Sequence, residues 1–190
     1  MKIAARTLGK IGEYFSARID RYLHALIVVD AFHAMIHQGR AYSFSDYDSD
    51  VDIAGPKHYR ITAPLERLGE THFEFVVNAS GPCTITFGEA PTSSGIGTAL
   101  TAYNRKRESS NVPFTKIRKD STVSAAGTIV ETVRLGIAGN PAKSSGGSLS
   151  GRHEWELRPA TIYEMTITPD ADNTQVWVNF DFYEVIPNEL

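Results

Sequence analysis

The strongest constraint on the fold is a series of short segments in which apolar and polar residues alternate. The last of them, QVWVNFDFYEV, places Val176, Val178, Phe180 and Phe182 on one face. A period of two residues is that of a β-strand with one buried face. Similar runs, rich in β-branched and aromatic residues, are KHYRITAP, HFEFVVNAS, CTITFGEA, TIVETVRLGI, HEWELRP and TIYEMTITP. Strands without helical segments between them predict an all-β fold, an antiparallel β-sandwich that is most simply jelly-roll-like.

The chain length and the irregular segments between the predicted strands indicate the domain organisation. With 190 residues and 42% hydrophobic side chains, the chain can bury one core. Two irregular segments interrupt the strands: one within residues 79–114, and AGNPAKSSGGSLSGRH near the C-terminal third. The second is rich in Gly and Ser, so we expect an exposed loop. We predict an N-terminal arm, residues 1–26, and a sandwich domain, residues 27–190.

The N-terminal arm combines positive charge with an apolar stripe. It holds five basic against two acidic residues. Ile11, Phe15, Ile19, Tyr22 and Leu26 follow at spacings of four, four, three and four, which predicts a helix from about Ile11. Its apolar face either packs on its own domain or docks on a partner. If it docks, the candidate contacts are Lys2, Arg6, Lys10 and Phe15.

Bulk composition argues against several classes of function. The net charge of −3 lacks the basic excess expected of a nucleic-acid-binding protein. The single cysteine, Cys83, cannot form an intrachain disulfide and excludes a cysteine-based zinc ribbon. No run of 18 apolar residues predicts a membrane-spanning helix, and no export signal is recognisable. We therefore expect neither a nucleic-acid nor a membrane partner.

A pair of histidines, His33 and His37, forms the first candidate metal site. They lie four residues apart, with Asp30 upstream. The spacing puts both on one face of either a helix or a strand, so it does not decide the local structure. The HExxH motif fails because Ala34 follows His33. Two partly buried histidines that hydrogen-bond within the fold are the alternative interpretation.

A run of alternating aspartates is the second candidate metal site. Asp46, Asp48 and Asp50 could offer carboxylate oxygens to calcium. Neither register of the EF-hand template fits, because its sixth position would be Val51 or Ile53 instead of glycine. The alternative interpretation is a solvated acidic loop.

A third charged segment, NRKRESSN, places Arg105, Lys106 and Arg107 in a row. No aromatic residues are interleaved for base stacking, so an acidic protein surface is the better match. The alternative is an ordinary charged loop. No phosphate loop, nucleophile elbow or other catalytic constellation is recognisable, so we predict a non-enzymatic protein without a cofactor.

Several fragments in one order resemble a family of small structural proteins of tailed bacteriophages. The fragments are HALIVVDAFHAMIHQGRAYSF, GTALTAYNRKRESSN, AGTIVETVRLGIAGN, GRHEWELRPATIYEMTIT and VWVNFDFYEV, within residues 24–184. Their motif positions here are Asp30, His33, His37, Gly39, Asn104, Arg107, Ser109, Ser110, Gly146, Gly147, Glu154, Trp155, Leu157, Thr161, Tyr163, Tyr183 and Glu184.

The resemblance implies a virion protein, most simply a capsid decoration or cement protein on the outer head surface. It implies the major capsid protein as partner, a homo-oligomer (dimer or trimer), and assembly in the host cytoplasm into the virion. His33 and His37 would then be signatures of the fold.

Two other functions remain open at this level. A glycan-binding host-recognition module of the tail or a fibre would use exposed Trp or Tyr. Trp155 and Trp177 both fall in predicted strands, so we expect at least one in the core. A cupin-like metal enzyme would draw on His33, His37, His58, His72 and His153, whose spacing is not that of cupins.

Overall fold

The computed structural model confirms the predicted all-β sandwich and describes residues 18–19, 26–27, 31–136 and 154–186. The elements, in chain order, are β1 (Arg18–Ile19), β2 (Leu26–Ile27), α1 (Ala31–Gln38), β3 (Ala41–Val51), β4 (Lys57–Thr62), a 3-10 turn (Glu66–Leu68), β5 (Glu70–Ala79), β6 (Cys83–Glu89), β7 (Thr92–Gly95), β8 (Thr98–Ala99), β9 (Tyr103–Asn104), β10 (Lys116–Lys119), β11 (Thr122–Ala125), β12 (Thr128–Leu135), β13 (Trp155–Leu157), β14 (Ile162–Pro169) and β15 (Thr174–Val185).

Two antiparallel sheets form the sandwich. One has the order β13-β5-β15-β3-β9 and the other the order β12-β6-β14-β4-β10-β8. Eight of these strands, β3, β4, β5, β6, β12, β13, β14 and β15, make up a jelly roll. Counted along the chain, the first, eighth, third and sixth lie side by side in one sheet, and the second, seventh, fourth and fifth in the other. This order arises when a long hairpin folds over on itself.

The core lies between the two sheets and follows the alternation of the sequence. Val176, Val178, Phe180 and Phe182 of β15 are buried, as the pattern predicts. They pack against aromatic side chains of the facing sheet, such as Phe87, whose ring stacks on that of Phe73. Burial of these large apolar side chains supplies the main stabilisation of the sandwich.

The helix α1 covers one end of the outer face of the five-stranded sheet. Met35, Ala41 and Tyr183 form a second, small core there, and the ring of Phe32 lies edge-on to that of Tyr183. Tyr183 is therefore buried although it points away from the main core. The rest of this outer face is not covered by α1.

Residues 90–127 form an insertion between β6 and β12, two strands that are direct neighbours. Within it, β8 and β10 extend the six-stranded sheet beyond β4, and β9 extends the other sheet beyond β3. The pair β7–β11 forms a separate two-stranded ladder. The predicted irregular segment thus contains short strands that add to the edges of both sheets on the same side of the sandwich.

The prediction of a helix across residues 11–26 is wrong at the positions that the structure describes. Arg18–Ile19 and Leu26–Ile27 are strands that pair antiparallel with each other. β-branched Ile19 and Ile27 favour this extended conformation. The other residues of the predicted arm, and the Gly- and Ser-rich segment at 137–153, lie outside the described residues.

Candidate partner-binding surface

Motif residues that lie far apart in the sequence meet at the end of α1. Gly39 ends the helix with a φ of +72°, and its carbonyl accepts hydrogen bonds from the side-chain amides of Asn104 (2.9 Å) and Asn111 (3.2 Å). A Cβ on Gly39 would lie 2.5 Å from the hydroxyl oxygen of Ser109. The insertion is therefore fastened to the helix end at a position where a glycine is required.

The end of β15 fastens the insertion from the other side. Glu184 is 2% exposed, and its carboxylate accepts hydrogen bonds from the backbone N–H groups of Thr115 (2.7 Å) and Phe114 (3.1 Å). Burial and the nearby Glu184 carboxylate raise the pKa of Tyr42 to about 12. Tyr42 thus stays neutral in this buried region.

Two further motif residues, Glu154 and Tyr183, attach the segment before β13 to the five-stranded sheet. Glu154 Oε1 accepts a hydrogen bond from the hydroxyl of Tyr183 (2.6 Å), and Nδ1 of His72 lies 2.8 Å from the same oxygen. The His72 and Tyr183 rings stack with centroids 4.5 Å apart. These contacts link β5, β15 and the segment before β13, which is a structural role.

The three consecutive basic residues of the insertion, Arg105 to Arg107, differ in what they contact. Arg105 donates to Asp181 Oδ1 (2.9 Å), and its guanidinium lies over the Phe32 ring, 5.1 Å from the centroid. Lys106 lies 3.5 Å from Glu108, and the guanidinium of Arg107 lies over the exposed ring of Tyr103. Arg105 therefore stabilises the fold, while Lys106 and Arg107 present charge at the surface.

The insertion also exposes apolar side chains. Nine large hydrophobic side chains are exposed among the residues that the structure describes, and four of them belong to residues 90–127. They are Ile96, Tyr103, Val112 and Phe114. Val112 is 74% exposed. Exposed apolar side chains grouped with positive charge are typical of a protein-binding surface.

A cavity of about 270 Å³ lies beside this surface, between the insertion and β3. Tyr42 and Phe44 of β3 line one side of it, and Val112, Pro113 and Ile117 of the insertion line the other. We define the insertion surface as Tyr103, Lys106, Arg107, Val112 and Phe114. Its apolar and basic side chains could dock on an apolar patch with acidic surroundings.

The first candidate metal site consists of two histidines on the exposed side of α1. Their Nε2 atoms are 2.9 Å apart, and both side chains are exposed, so the interpretation as partly buried residues is wrong. The segment is a helix, and the two histidines at positions i and i+4 lie on the face opposite the buried Met35. Asp30 lies outside the described residues.

The second candidate metal site lies in a strand, so the prediction of an acidic loop is wrong. Asp46, Asp48 and Asp50 belong to β3. Asp46 accepts hydrogen bonds from the ammonium group of Lys119 (2.7 Å) and from the hydroxyl of Tyr59 (3.0 Å). Asp50 is exposed, and its backbone N–H donates to Asp48 Oδ1 (3.1 Å).

A lysine neutralises the second aspartate of this strand. Lys57 Nζ lies 2.7 Å from Asp48 and 2.6 Å from Asp120. Burial alone would lower the pKa of Lys57, but its hydrogen bonds to Asp120 and Asp48 raise it above its ordinary value. The hydrogen bond from Lys57 lowers the pKa of Asp48. The aspartates therefore form an ion-pair network that joins β3 to β4 and to the end of β10.

Across the described ranges, no three His, Cys, Asp or Glu side chains are grouped to hold a metal ion. None of the helices in those ranges is long and apolar enough to cross a membrane. The predicted contacts Lys2, Arg6, Lys10 and Phe15 lie outside the described residues.

A buried polar cluster lies on the outer face of the six-stranded sheet and was missed from the sequence. Glu164 is 3% exposed, and its Oε1 accepts a hydrogen bond from the hydroxyl of Ser121 (2.5 Å). His58 Nδ1 is 3.0 Å from Thr166 Oγ1 and 3.6 Å from the same Glu164 oxygen. Burial raises the pKa of Glu164 and lowers that of His58. Ser121 contacts the carboxylate instead of the imidazole, so no serine–histidine nucleophile pair is formed.

An exposed aromatic pair on the other sheet was also missed. The rings of Tyr47 and Trp177 stack with centroids 5.0 Å apart on the outer face. Trp155 instead packs against the core, as expected for one of the two tryptophans. The signal in the sequence was the register of β15, in which Trp177 alternates with buried residues.

No protein-family model matches the chain, and no curated protein matches it significantly.

Proposed function

We propose that this chain is a non-enzymatic structural protein of a bacteriophage virion, and specifically a capsid decoration protein. It binds the major capsid protein on the outer surface of the head as a homo-oligomer, and it stabilises the shell. The jelly roll serves as a rigid scaffold, and the insertion surface makes the contact with the capsid.

The observation that carries this proposal is the concentration of exposed apolar and basic side chains on the insertion. Val112 and Phe114 are exposed, although their neighbours Pro113 and Thr115 are buried. The backbone N–H groups of Phe114 and Thr115 donate to Glu184, and the Asn111 carbonyl accepts from the side-chain amide of Asn104, which holds the backbone of this segment in place. The exposed side chains are thus presented from a fixed backbone, which lowers the entropic cost of binding.

The resemblance to phage structural proteins supports the same proposal. Gly39, Asn104, Ser109, Tyr183 and Glu184 belong to the ordered motif set. Several of them make the contacts that fasten the insertion to α1 and β15. The motif residues therefore maintain the geometry of the surface that we propose to bind the capsid. Jelly rolls are also a frequent fold of viral capsid domains.

Because the binding sites repeat over the capsid shell, weak individual contacts would be sufficient for stable attachment. Each oligomer offers several copies of the insertion surface to a lattice of identical sites. Linked binding events of this kind raise the overall avidity above the affinity of one contact.

The proposal is tested by cosedimentation of the purified protein with capsids assembled from the major capsid protein of the same phage. We expect saturable binding, and density at symmetry positions of the shell by cryo-electron microscopy. The variant Val112→Asp should lower the affinity at least about tenfold, because it places a charge in the apolar contact. Ile53→Asp, at an exposed apolar residue outside the insertion, should bind as the unmodified protein does.

A charge variant separates electrostatic attraction from apolar contact. Lys106→Glu combined with Arg107→Glu should weaken binding most at low salt, because long-range attraction is screened at high salt. Capsids that stay bare while all of the unmodified protein remains in the supernatant would refute the decoration role.

A further inference from the structure

Among the described residues, the part of the outer face of the five-stranded sheet that α1 leaves exposed carries a compact set of aromatic and neutral polar side chains. Two rows of the sheet contribute, each across the strands β3, β15 and β5. One row is Tyr47, Trp177 and Asn78, and the other is Ser45, Asn179 and Val76. We call these six residues the aromatic platform.

The two aromatic rings of the platform are exposed to a degree that is unusual for such large apolar side chains. Tyr47 is 48% and Trp177 41% exposed. Their rings stack on each other at an interplanar angle of 29°. Each ring therefore has one face against its neighbour and one face turned away from it, on which a ligand could stack.

The polar side chains of the platform have no hydrogen-bond partners among the residues that the structure describes. The amides of Asn78 and Asn179 and the hydroxyl of Ser45 form no side-chain hydrogen bond with the residues that the structure describes. Each amide offers two donors and one acceptor. A ligand that covers this face must supply partners for them, because buried polar atoms without partners cost about 1–3 kcal/mol each.

The charge of the platform further restricts the ligand. All six platform residues are uncharged. None of them can therefore pair with the charge of an anionic ligand, whereas a neutral ligand needs no such partner.

From this combination we infer that the aromatic platform binds an uncharged glycan. A pyranose ring presents an apolar C–H face that can stack on Trp177 or Tyr47. Its hydroxyl groups both donate and accept, which matches the free amides of Asn78 and Asn179. Three strands about 4.8 Å apart and two rows about 6.8 Å apart give a flat area about 10 Å long, comparable with a disaccharide. The site lies on the same outer face as Tyr103, which pairs with Ser43, but the inference does not rest on the proposed capsid role.

The first experiment is an array of neutral and acidic oligosaccharides probed with the full-length protein, followed by titration calorimetry with the best neutral oligosaccharide. We expect a dissociation constant below about 1 mM, and a shift in tryptophan fluorescence on binding. Sialylated or uronic-acid glycans of the same length should bind more weakly than the neutral ones. The absence of any neutral glycan binding at millimolar concentration would overturn the inference.

Variants on the exposed face locate the binding. Trp177→Ala should lower the affinity at least about tenfold, because it removes the larger of the two rings on which the sugar stacks. Asn179→Ala should lower it severalfold. Phe114→Ala, at an exposed aromatic residue held beside Glu184 at the far end of β15, should bind the glycan unchanged. Melting temperatures near that of the unmodified protein would show that the variants are folded.

The same variants distinguish a glycan from a second copy of the chain. If Trp177→Ala converts an oligomer to a monomer, as measured by light scattering, the platform is a subunit interface and the inference is wrong. If the mass in solution is unchanged while glycan binding is lost, the inference is supported.

Discussion

At the scale of single residues, Gly39 shows how one position can connect three parts of the molecule. It ends α1, accepts hydrogen bonds from two side chains of the insertion and leaves no room for a Cβ. Gly39→Ala should destabilise the protein by about 1–3 kcal/mol, because alanine at a positive φ is strained and its Cβ meets Ser109. Urea denaturation measures this change.

Gly55→Ala is the matched control for this prediction. An ideal Cβ at Gly55 meets no atom within 4 Å, and its φ lies outside the left-handed region. Its unfolding free energy should stay within about 0.5 kcal/mol of the unmodified protein. Equal effects of the two substitutions would contradict the role that we assign to Gly39.

Glu164 predicts a specific dependence of stability on pH. Burial raises its pKa in the folded protein above the ordinary value of 4.5, and Oε2 has no hydrogen-bond partner among the described residues. For an acid with a raised pKa, the contribution to stability is fully present below the ordinary value and is lost as the pH rises through the folded value. The loss amounts to about 1.4 kcal/mol for each unit by which the pKa is raised.

The variant Glu164→Gln isolates this group because glutamine does not titrate. The unfolding free energy of the unmodified protein, minus that of the variant, should fall as the pH rises from about 4 to about 7. Glu70→Gln, at an exposed glutamate, serves as the control. A flat difference for Glu164→Gln would show that burial does not perturb this carboxyl group.

At the scale of elements, β3 and α1 show what sequence patterns could not decide. Aspartate is rare in strands, so the alternating aspartates favoured a loop. The structure overrides this tendency because Lys57 and Lys119, distant in sequence, neutralise Asp48 and Asp46. The spacing of His33 and His37 fits a helix or a strand equally well, and only the packing of Met35 against the sheet distinguishes the two.

The attachment of the insertion to β15 gives a prediction at this scale. Glu184→Ala should cost about 2–4 kcal/mol, because the backbone N–H groups of Phe114 and Thr115 lose a charged acceptor in a buried place. Hydrogen exchange should quicken at residues 114 and 115 more than in the strands of the main core. Glu66→Ala, at an exposed glutamate, serves as the control. Unchanged protection at residues 114 and 115 would argue against this attachment.

At the scale of the whole molecule, the strand periodicity predicted the fold class because the core uses it consistently. Val176 to Phe182 on β15 alternate as a sandwich requires. The sequence could not predict the sheet order, because β15 pairs with β3, more than a hundred residues away. The hydrogen bond between Asn104 and Gly39 could not be predicted for the same reason, although both residues belong to the motifs named in the sequence analysis.

We predict that the sandwich folds without most of the N-terminal arm. The described sandwich begins with α1 at residue 31, and its core draws on residues from Tyr42 onwards. Removal of residues 1–23 should therefore leave the thermal transition and the far-ultraviolet circular dichroism of a folded β-protein. Binding to capsids should become weaker if the arm contributes contact area. Full capsid binding after truncation would refute a docking role of the arm, and loss of the folded signal would refute its independence.

The position of the insertion between two neighbouring strands has a consequence for how such proteins can diversify. Glu89 of β6 and Thr128 of β12 are paired, so both ends of the insertion leave the sandwich at the same place. The outer parts of the insertion can gain or lose residues without changing the register of any jelly-roll strand. Selection can therefore reshape the contacting segment in response to a changing partner while the scaffold stays constant.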